Sequence, residues 1–63
     1  MRVFRARWSA RGMHVHVRLF EARPGVDSWA KNGDLVFDAV SWAAFRLLLV
    51  AAGIDVIADN EGR

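Results

Sequence analysis

Two histidines separated by one residue, His14 and His16, are the side chains most suggestive of chemistry in this 63-residue chain. In an extended strand alternate side chains project to the same face, so the two imidazoles would lie side by side. Metal sites use this geometry, but they need further ligands and compensating negative charge. The chain has no third histidine and no cysteine. We therefore predict neither a metal site nor a cofactor.

The elements that position the histidines are predicted to be two strands of a hairpin. Apolar residues alternate with basic ones over 2–8 and again over 13–22, which is the period of strands with one buried and one solvated face. Residues 9–12 form the loop in this prediction, and Gly12 supplies a positive φ. A one-residue slip would mix the apolar and basic sets, so burial favours this register.

This register predicts a core face and a cationic face. The core face is formed by Phe4, Ala6, Trp8, Met13, Val15, Val17 and Leu19. On the other face Arg7 lies opposite His14, and Arg5 lies opposite His16. The predicted partner-binding set on that face is Arg5, Arg7, His14, His16 and Arg18. Arginines would repel a divalent cation but can grip phosphates, and their stems can equally cover apolar surface on a merely solvated face.

The distribution of charge points to an anionic partner or to self-association. Residues 1–23 contain six arginines and one glutamate, whereas residues 24–63 contain three basic and six acidic residues. A basic half beside an acidic half suits either a nucleic acid or another protein surface of opposite potential. An RNA-binding sheet also displays aromatic residues, and only Phe20 is expected on the cationic face.

The rest of the chain predicts a helix between short strands. Pro24-Gly25 ends the hairpin, residues 26–31 fit either a loop or a strand, and Asn32-Gly33 has the signature of a type I′ turn before a strand at 35–37. A helix follows over 39–52, with Asp38 as N-cap, a hydrophobic staple between Phe37 and Trp42, and Gly53 at C′. A last strand covers 54–57, and 59–63 read as a frayed tail.

The predicted fold is a single α+β domain spanning 1–63, with a small antiparallel sheet of three to four strands in the order β-β-β-α-β and one helix packed on one face. So short a chain without disulfides has little core to stabilise it. The helix has two apolar arcs, and one sheet can cover only one of them. We predict a homodimer formed through the second arc, at Val40, Ala43, Leu47 and Val50. The final strand and the loop containing Trp29 could instead cover that arc.

Catalysis finds little support in the sequence. Ser9, Ser28 and Ser41 lie at a turn, a loop and a helix start, without an elbow motif or an evident base beside them. No glycine-rich phosphate loop is present in the sequence. No signal peptide is recognisable, and the run Leu47–Ala52 is far shorter than the ~20 residues of a membrane span. A non-enzymatic, cytoplasmic protein is expected.

A resemblance gives this expectation a biological setting. The segments Arg11-Gly12-Met13-His14-Val15-His16-Val17-Arg18-Leu19-Phe20, Gly33-Asp34-Leu35-Val36-Phe37 and Trp42 with Phe45-Arg46 resemble a group of small proteins from bacteriophages that infect actinobacteria. Those proteins share the layout GxHVHVR(V/L)F, GELxF and W..F over nearly their whole length. The resemblance implies a phage-encoded accessory protein that acts in the host cytoplasm and binds a host protein or nucleic acid. No site residue is carried over from it.

Overall fold

A computed structural model describes residues 2–59 as a four-stranded sheet with one helix on one face. The elements are β1 (Phe4–Arg11), β2 (His14–Ala22), β3 (Trp29–Asp38), α1 (Ala39–Ala51) and β4 (Asp55–Ala58). The strand order across the sheet is β3-β2-β1-β4. The α+β class and the β-β-β-α-β order are confirmed. The sheet is mixed rather than antiparallel throughout, because α1 carries the chain across the sheet to pair β4 parallel with β1.

The hairpin of β1 and β2 has a different register from the predicted one. The strands continue to Arg11 and His14 and are joined by Gly12 and Met13 alone. Gly12 has a φ of 59° and Met13 a negative φ, the pattern of a type II′ turn. The two-residue turn is favoured because it pairs the backbone groups that a four-residue loop would leave free. Met13, predicted in the core, is 87% exposed at the turn.

The register shift changes partners but not faces. Arg7 lies opposite Arg18 instead of His14, and Arg5 lies opposite Phe20 instead of His16. The displacement is an even number of residues, so every predicted side chain that lies within β1 or β2 stays on its predicted face. The sheet therefore has the predicted core face and cationic face, although the predicted pairing of β1 with β2 is wrong.

Asn32-Gly33 does not form the predicted turn. β3 runs continuously through both residues, and the extra residue is absorbed in an irregularity where Gly33 pairs with Leu19 while Lys31 pairs with Phe20. A bulge of this kind bends an edge strand and moves the following side chains without ending the pairing. The sequence leaves open whether residues 26–31 form a loop or a strand. Residues 26–28 lie in the loop after β2, and β3 begins at Trp29.

The core lies between α1 and the sheet. Its buried members among residues 2–59 are Ala6, Val15, Val17, Trp42 and Leu49. Half-buried Trp8, Leu19, Phe37, Phe45, Ile54 and Val56 pack around them. The predicted staple is present, since the rings of Phe37 and Trp42 are 5.9 Å apart between centroids. Phe4 lies at the margin, where the Arg2 guanidinium is 5.0 Å from its ring centroid.

The two ends of α1 are capped as the sequence predicts. The Asp38 carboxylate accepts a hydrogen bond of 2.7 Å from the Ser41 N–H. Gly53, with a φ of 79°, donates its N–H to the Val50 carbonyl, and the Ile54 N–H donates to the Leu49 carbonyl. This pair of bonds is a Schellman motif, which satisfies carbonyls that the end of a helix leaves free.

The cap at Asp38 predicts an acid-sensitive step in stability. The backbone hydrogen bond from Ser41 is the main cause that lowers the pKa of the Asp38 carboxyl. A group with a lowered folded-state pKa stabilises the fold above its unfolded pKa of about 4, and that contribution disappears as the pH falls through the folded-state value. In thermal melts between pH 7 and pH 2.5, Asp38→Asn should lose less stability on acidification than the unmodified chain, because asparagine caps without titrating.

Asp27→Asn is the matched control for this measurement. Asp27 is exposed in the loop after β2, and its carboxylate has no hydrogen bond within residues 2–59. Its melts should follow those of the unmodified chain at every pH. Equal acid sensitivity of Asp38→Asn and the unmodified chain would contradict the role of the cap.

The last residue that the structure describes, Asp59, is hydrogen-bonded to β1. Asp59, the first residue of the predicted tail, donates its backbone N–H to the Trp8 carbonyl at 2.7 Å and so extends the pairing beside β1. Residues 60–63 of that tail lie outside the described residues. Within 2–59, α1 is too short to reach across a lipid bilayer.

Candidate interaction surfaces

The sheet face that points away from α1, called the open face below, carries no covering element within residues 2–59. Alternation along the observed register assigns to it Arg5, Arg7, Ser9 and Arg11 from β1, His14, His16, Arg18 and Phe20 from β2, Trp29, Lys31, Asp34 and Val36 from β3, and Asp55 and Ile57 from β4. All five residues of the predicted cationic set are on this face. The bulge in β3 brings Trp29 to it as well.

Arg7 and Arg18 meet at an acidic residue in the middle of the open face. They are directly opposed on β1 and β2, and both reach the carboxylate of Asp59. Arg7 Nε lies 2.6 Å from Asp59 Oδ1, and Arg18 Nη2 donates to Asp59 Oδ2. Both arginines are partly exposed, whereas the Asp59 side chain is mostly buried between them. One carboxylate thus engages two guanidinium groups, as a phosphate could.

Arg5 is held in a different way, against an aromatic ring. Its guanidinium carbon lies 4.1 Å from the centroid of the Trp29 ring, well within the range of a cation–π contact. The Arg5 Nε is buried and has no hydrogen-bond acceptor within residues 2–59. An arginine stacked on a ring still carries outward N–H groups on its guanidinium, which can donate to a ligand without loss of the ring contact.

Two adjoining hollows follow from these contacts. The first, about 600 Å³, is lined by Arg7, Ser9, Arg11, His16, Arg18, Asp34 and Asp59. The second, about 350 Å³, is lined by Arg5, Arg7, Arg18, Phe20 and Trp29. Arg7 and Arg18 belong to both. The open face therefore has a charged hollow and an aromatic hollow that share a pair of arginines.

Of the two histidines, only His16 lines the first hollow. His14 and His16 are exposed, and they lie opposite Arg11 and Ser9 in the β1–β2 ladder. No hydrogen bond joins Ser9 to His16 within the described chain. Over the same residues, no group of three or more histidine, aspartate or glutamate side chains converges as metal ligands would.

The open face is less positive than the sequence predicts. Asp59 pairs with two of its arginines, and Asp34 pairs with Lys31. Asp55 lies beside Arg5 in the β1–β4 ladder. Asp55 and Asp59 are far in sequence from the arginines beside them, whereas Asp34 is three residues from Lys31. The Lys-Asn-Gly-Asp spacing is the one sequence signal that could have indicated a local ion pair.

The outer arc of α1 forms the second candidate surface. Val40 is 82% exposed, Leu47 71% and Val50 57%. Ala43 is also exposed, so all four predicted interface residues are uncovered by the rest of residues 2–59. The last strand and the Trp29 loop, the alternative covers considered from the sequence, lie elsewhere. No family model matches the chain, and no curated protein or solved structure matches it significantly.

Proposed function

We propose that the chain is a non-enzymatic phage accessory protein that acts by protein–protein contact and assembles as a homodimer through the outer arc of α1. The observation that carries this proposal is the exposure of Val40, Leu47 and Val50 on one side of an otherwise well-capped helix. Contiguous apolar surface of this kind marks interaction sites in proteins of this size.

The geometry of the arc suits a second copy of the same helix. Its apolar residues recur at intervals of three and four, at 40, 43, 47 and 50, which is the spacing of a helix-pairing seam. Ala43 between the larger side chains permits close approach of two helix backbones. A twofold axis would bring the same arc of both protomers together, and each would shield the other.

A small core gives the dimer an energetic reason. Only five apolar residues are buried in the described chain, and one of them is an alanine. Domains of this size bury a smaller fraction of their surface than larger ones and commonly gain stability by oligomerisation.

Sedimentation equilibrium tests the proposal: a dimer mass at micromolar concentration is expected. A monomer mass at high micromolar concentration would overturn it.

The phage setting and the host cytoplasm as the place of action are part of the same proposal. They are supported by the resemblance in residues 11–20, 33–37 and 42–46, and the cationic set offers a surface for a host partner. Affinity capture of the tagged chain from infected host cells, with and without nuclease, tests this part of the proposal. A host protein that stays bound after nuclease treatment contacts the chain directly, whereas one that is lost was held through nucleic acid.

A second candidate function is nucleic-acid binding at the open face. The observation that favours it is Trp29, an aromatic side chain that stands on this face beside Arg5 and near Phe20. Sheets that bind unpaired bases combine arginines with exposed aromatic rings in this way.

For this function, the variant Arg5→Ala/Arg7→Ala should weaken binding to a labelled single strand about tenfold or more in fluorescence anisotropy, because it removes a stacking partner and a phosphate ligand. The slope of binding against salt concentration should also become shallower. Arg23→Ala, in the loop after β2, removes a positive charge away from the hollows and should have little effect. Equal losses in the two variants would point to nonspecific attraction instead.

A further inference from the structure

The carboxylate of Asp59 lies at the position on the open face where Arg7 and Arg18 converge. The two guanidinium groups come from neighbouring strands, and these two arginines line both hollows. Two converging arginines are a recurrent arrangement for recognising phosphate groups. Asp59 presents two oxygens in a similar fork and balances one of the two positive charges, so the site keeps a net positive charge that favours an anion.

The neighbouring aromatic hollow indicates which phosphate-bearing ligand fits. Phe20 and the Arg5–Trp29 pair line it, so a planar ring entering there would meet aromatic and guanidinium faces. A nucleotide has its phosphate and base separated by one sugar, and the two hollows meet at Arg7 and Arg18. In a duplex the bases are stacked on each other and cannot enter such a hollow, whereas in a single strand they can.

We infer that the open face binds single-stranded nucleic acid by exchanging the Asp59 carboxylate for a backbone phosphate at Arg7 and Arg18, with a base stacked against Phe20 and the Arg5–Trp29 pair. This inference rests on the second candidate function and adds to it a ligand class and an internal competitor. The exchange requires only a side-chain movement, because the backbone of Asp59 is tied to β1 through its hydrogen bond to Trp8.

An internal competitor has a measurable consequence. Every phosphate that binds must first break the two ion pairs of Asp59, and it then lies near a free carboxylate. Replacement of Asp59 by asparagine removes the charge and keeps the size of the side chain. The affinity for a single strand should rise about fivefold, since partly exposed ion pairs are each worth less than a tenfold factor.

The experiment compares three chains in fluorescence anisotropy with an oligothymidylate of about ten nucleotides. They are the unmodified chain, Asp59→Asn, and Asp27→Asn, which makes the same change in net charge on an exposed loop. Tighter binding by Asp59→Asn alone supports the inference. Equal gains in both variants overturn it, because overall charge would then explain the effect. Circular dichroism confirms that each chain is folded.

Two outcomes separate this inference from the function on which it rests. Absence of binding by the unmodified chain and by Asp59→Asn overturns both. Binding by the unmodified chain with unchanged affinity in Asp59→Asn overturns the competitor role of Asp59 and leaves nucleic-acid binding intact. A duplex of equal length supplies the last comparison. Binding as tight as that of the single strand would overturn the assigned ligand class, as would an undiminished affinity in Trp29→Ala.

Discussion

Replacement of Trp42 by alanine is expected to leave the chain largely unfolded at room temperature. Trp42 is one of the few buried residues, and its ring contacts Trp8, Phe37 and Phe45 at centroid distances of 5.6, 5.9 and 6.4 Å. Truncation of a buried tryptophan to alanine costs about 3–5 kcal/mol. A core of this size rarely supplies more than about that amount in total.

The variant Trp42→Phe separates the loss of packing from the loss of the indole. The Nε1–H of Trp42 is buried without an acceptor in the described chain, and an unsatisfied buried donor costs about 1–3 kcal/mol. Phenylalanine removes that donor and retains most of the ring contacts, so its unfolding midpoint should stay close to that of the unmodified chain. Urea denaturation followed by circular dichroism measures both variants.

Val36→Ala is the control for the core variants, because Val36 is exposed on the open face. It should shift the midpoint little. If Trp42→Ala unfolds cooperatively at nearly the urea concentration of the unmodified chain, the ring contacts of Trp42 are not what holds α1 on the sheet.

The second large effect is expected at the outer arc of α1. Val50→Lys should convert the proposed dimer into a monomer, because it places a charge within the apolar contact. Val26→Lys is a closely matched control: Val26 is 60% exposed and Val50 57%, and Val26 lies in a loop away from the arc. Sedimentation equilibrium should report half the dimer mass for Val50→Lys and for Leu47→Lys, and the full dimer mass for Val26→Lys.

Thermal melts at several protein concentrations add a second readout. The midpoint of a folded dimer rises with concentration, whereas that of a monomer does not. We expect the dependence for the unmodified chain and for Val26→Lys, and its loss in Val50→Lys. If Val50→Lys and Leu47→Lys keep the dimer mass, the contact between copies lies elsewhere on the molecule.

The sequence predicts the faces of this fold better than its pairings. Alternation along residues 2–8 and 13–22 places all five residues of the predicted partner-binding set on the correct side of the sheet, because a period of two decides faces. It leaves the register open to even-numbered shifts, so Arg7 can lie opposite His14 or Arg18 with equal burial. The choice depends on turn geometry at Gly12, where a tight turn competes with a longer loop.

Asp59 and Trp29 were beyond sequence reasoning for related reasons. Asp59 reaches the arginines only because β4 runs parallel to β1, and nothing in a four-residue strand specifies its direction. Trp29 reaches the open face because the bulge at Asn32 inserts one residue, and Asn-Gly is a stronger signal for a turn than for a bulge. The helix was predictable to within a residue, since its cap, staple and C′ glycine all lie within the helix or next to it.

The parallel pairing of β4 also bears on the order of assembly during folding. β1, β2 and β3 are neighbours in sequence and can zip together through short loops, whereas Arg5 meets Asp55 only after the chain has closed almost end to end. Contacts between residues so far apart in sequence slow folding, because the entropy of a long loop is lost before they form. We therefore expect the β1–β4 ladder to form late, so that Arg7 and Arg18 receive their counter-ion only at that step.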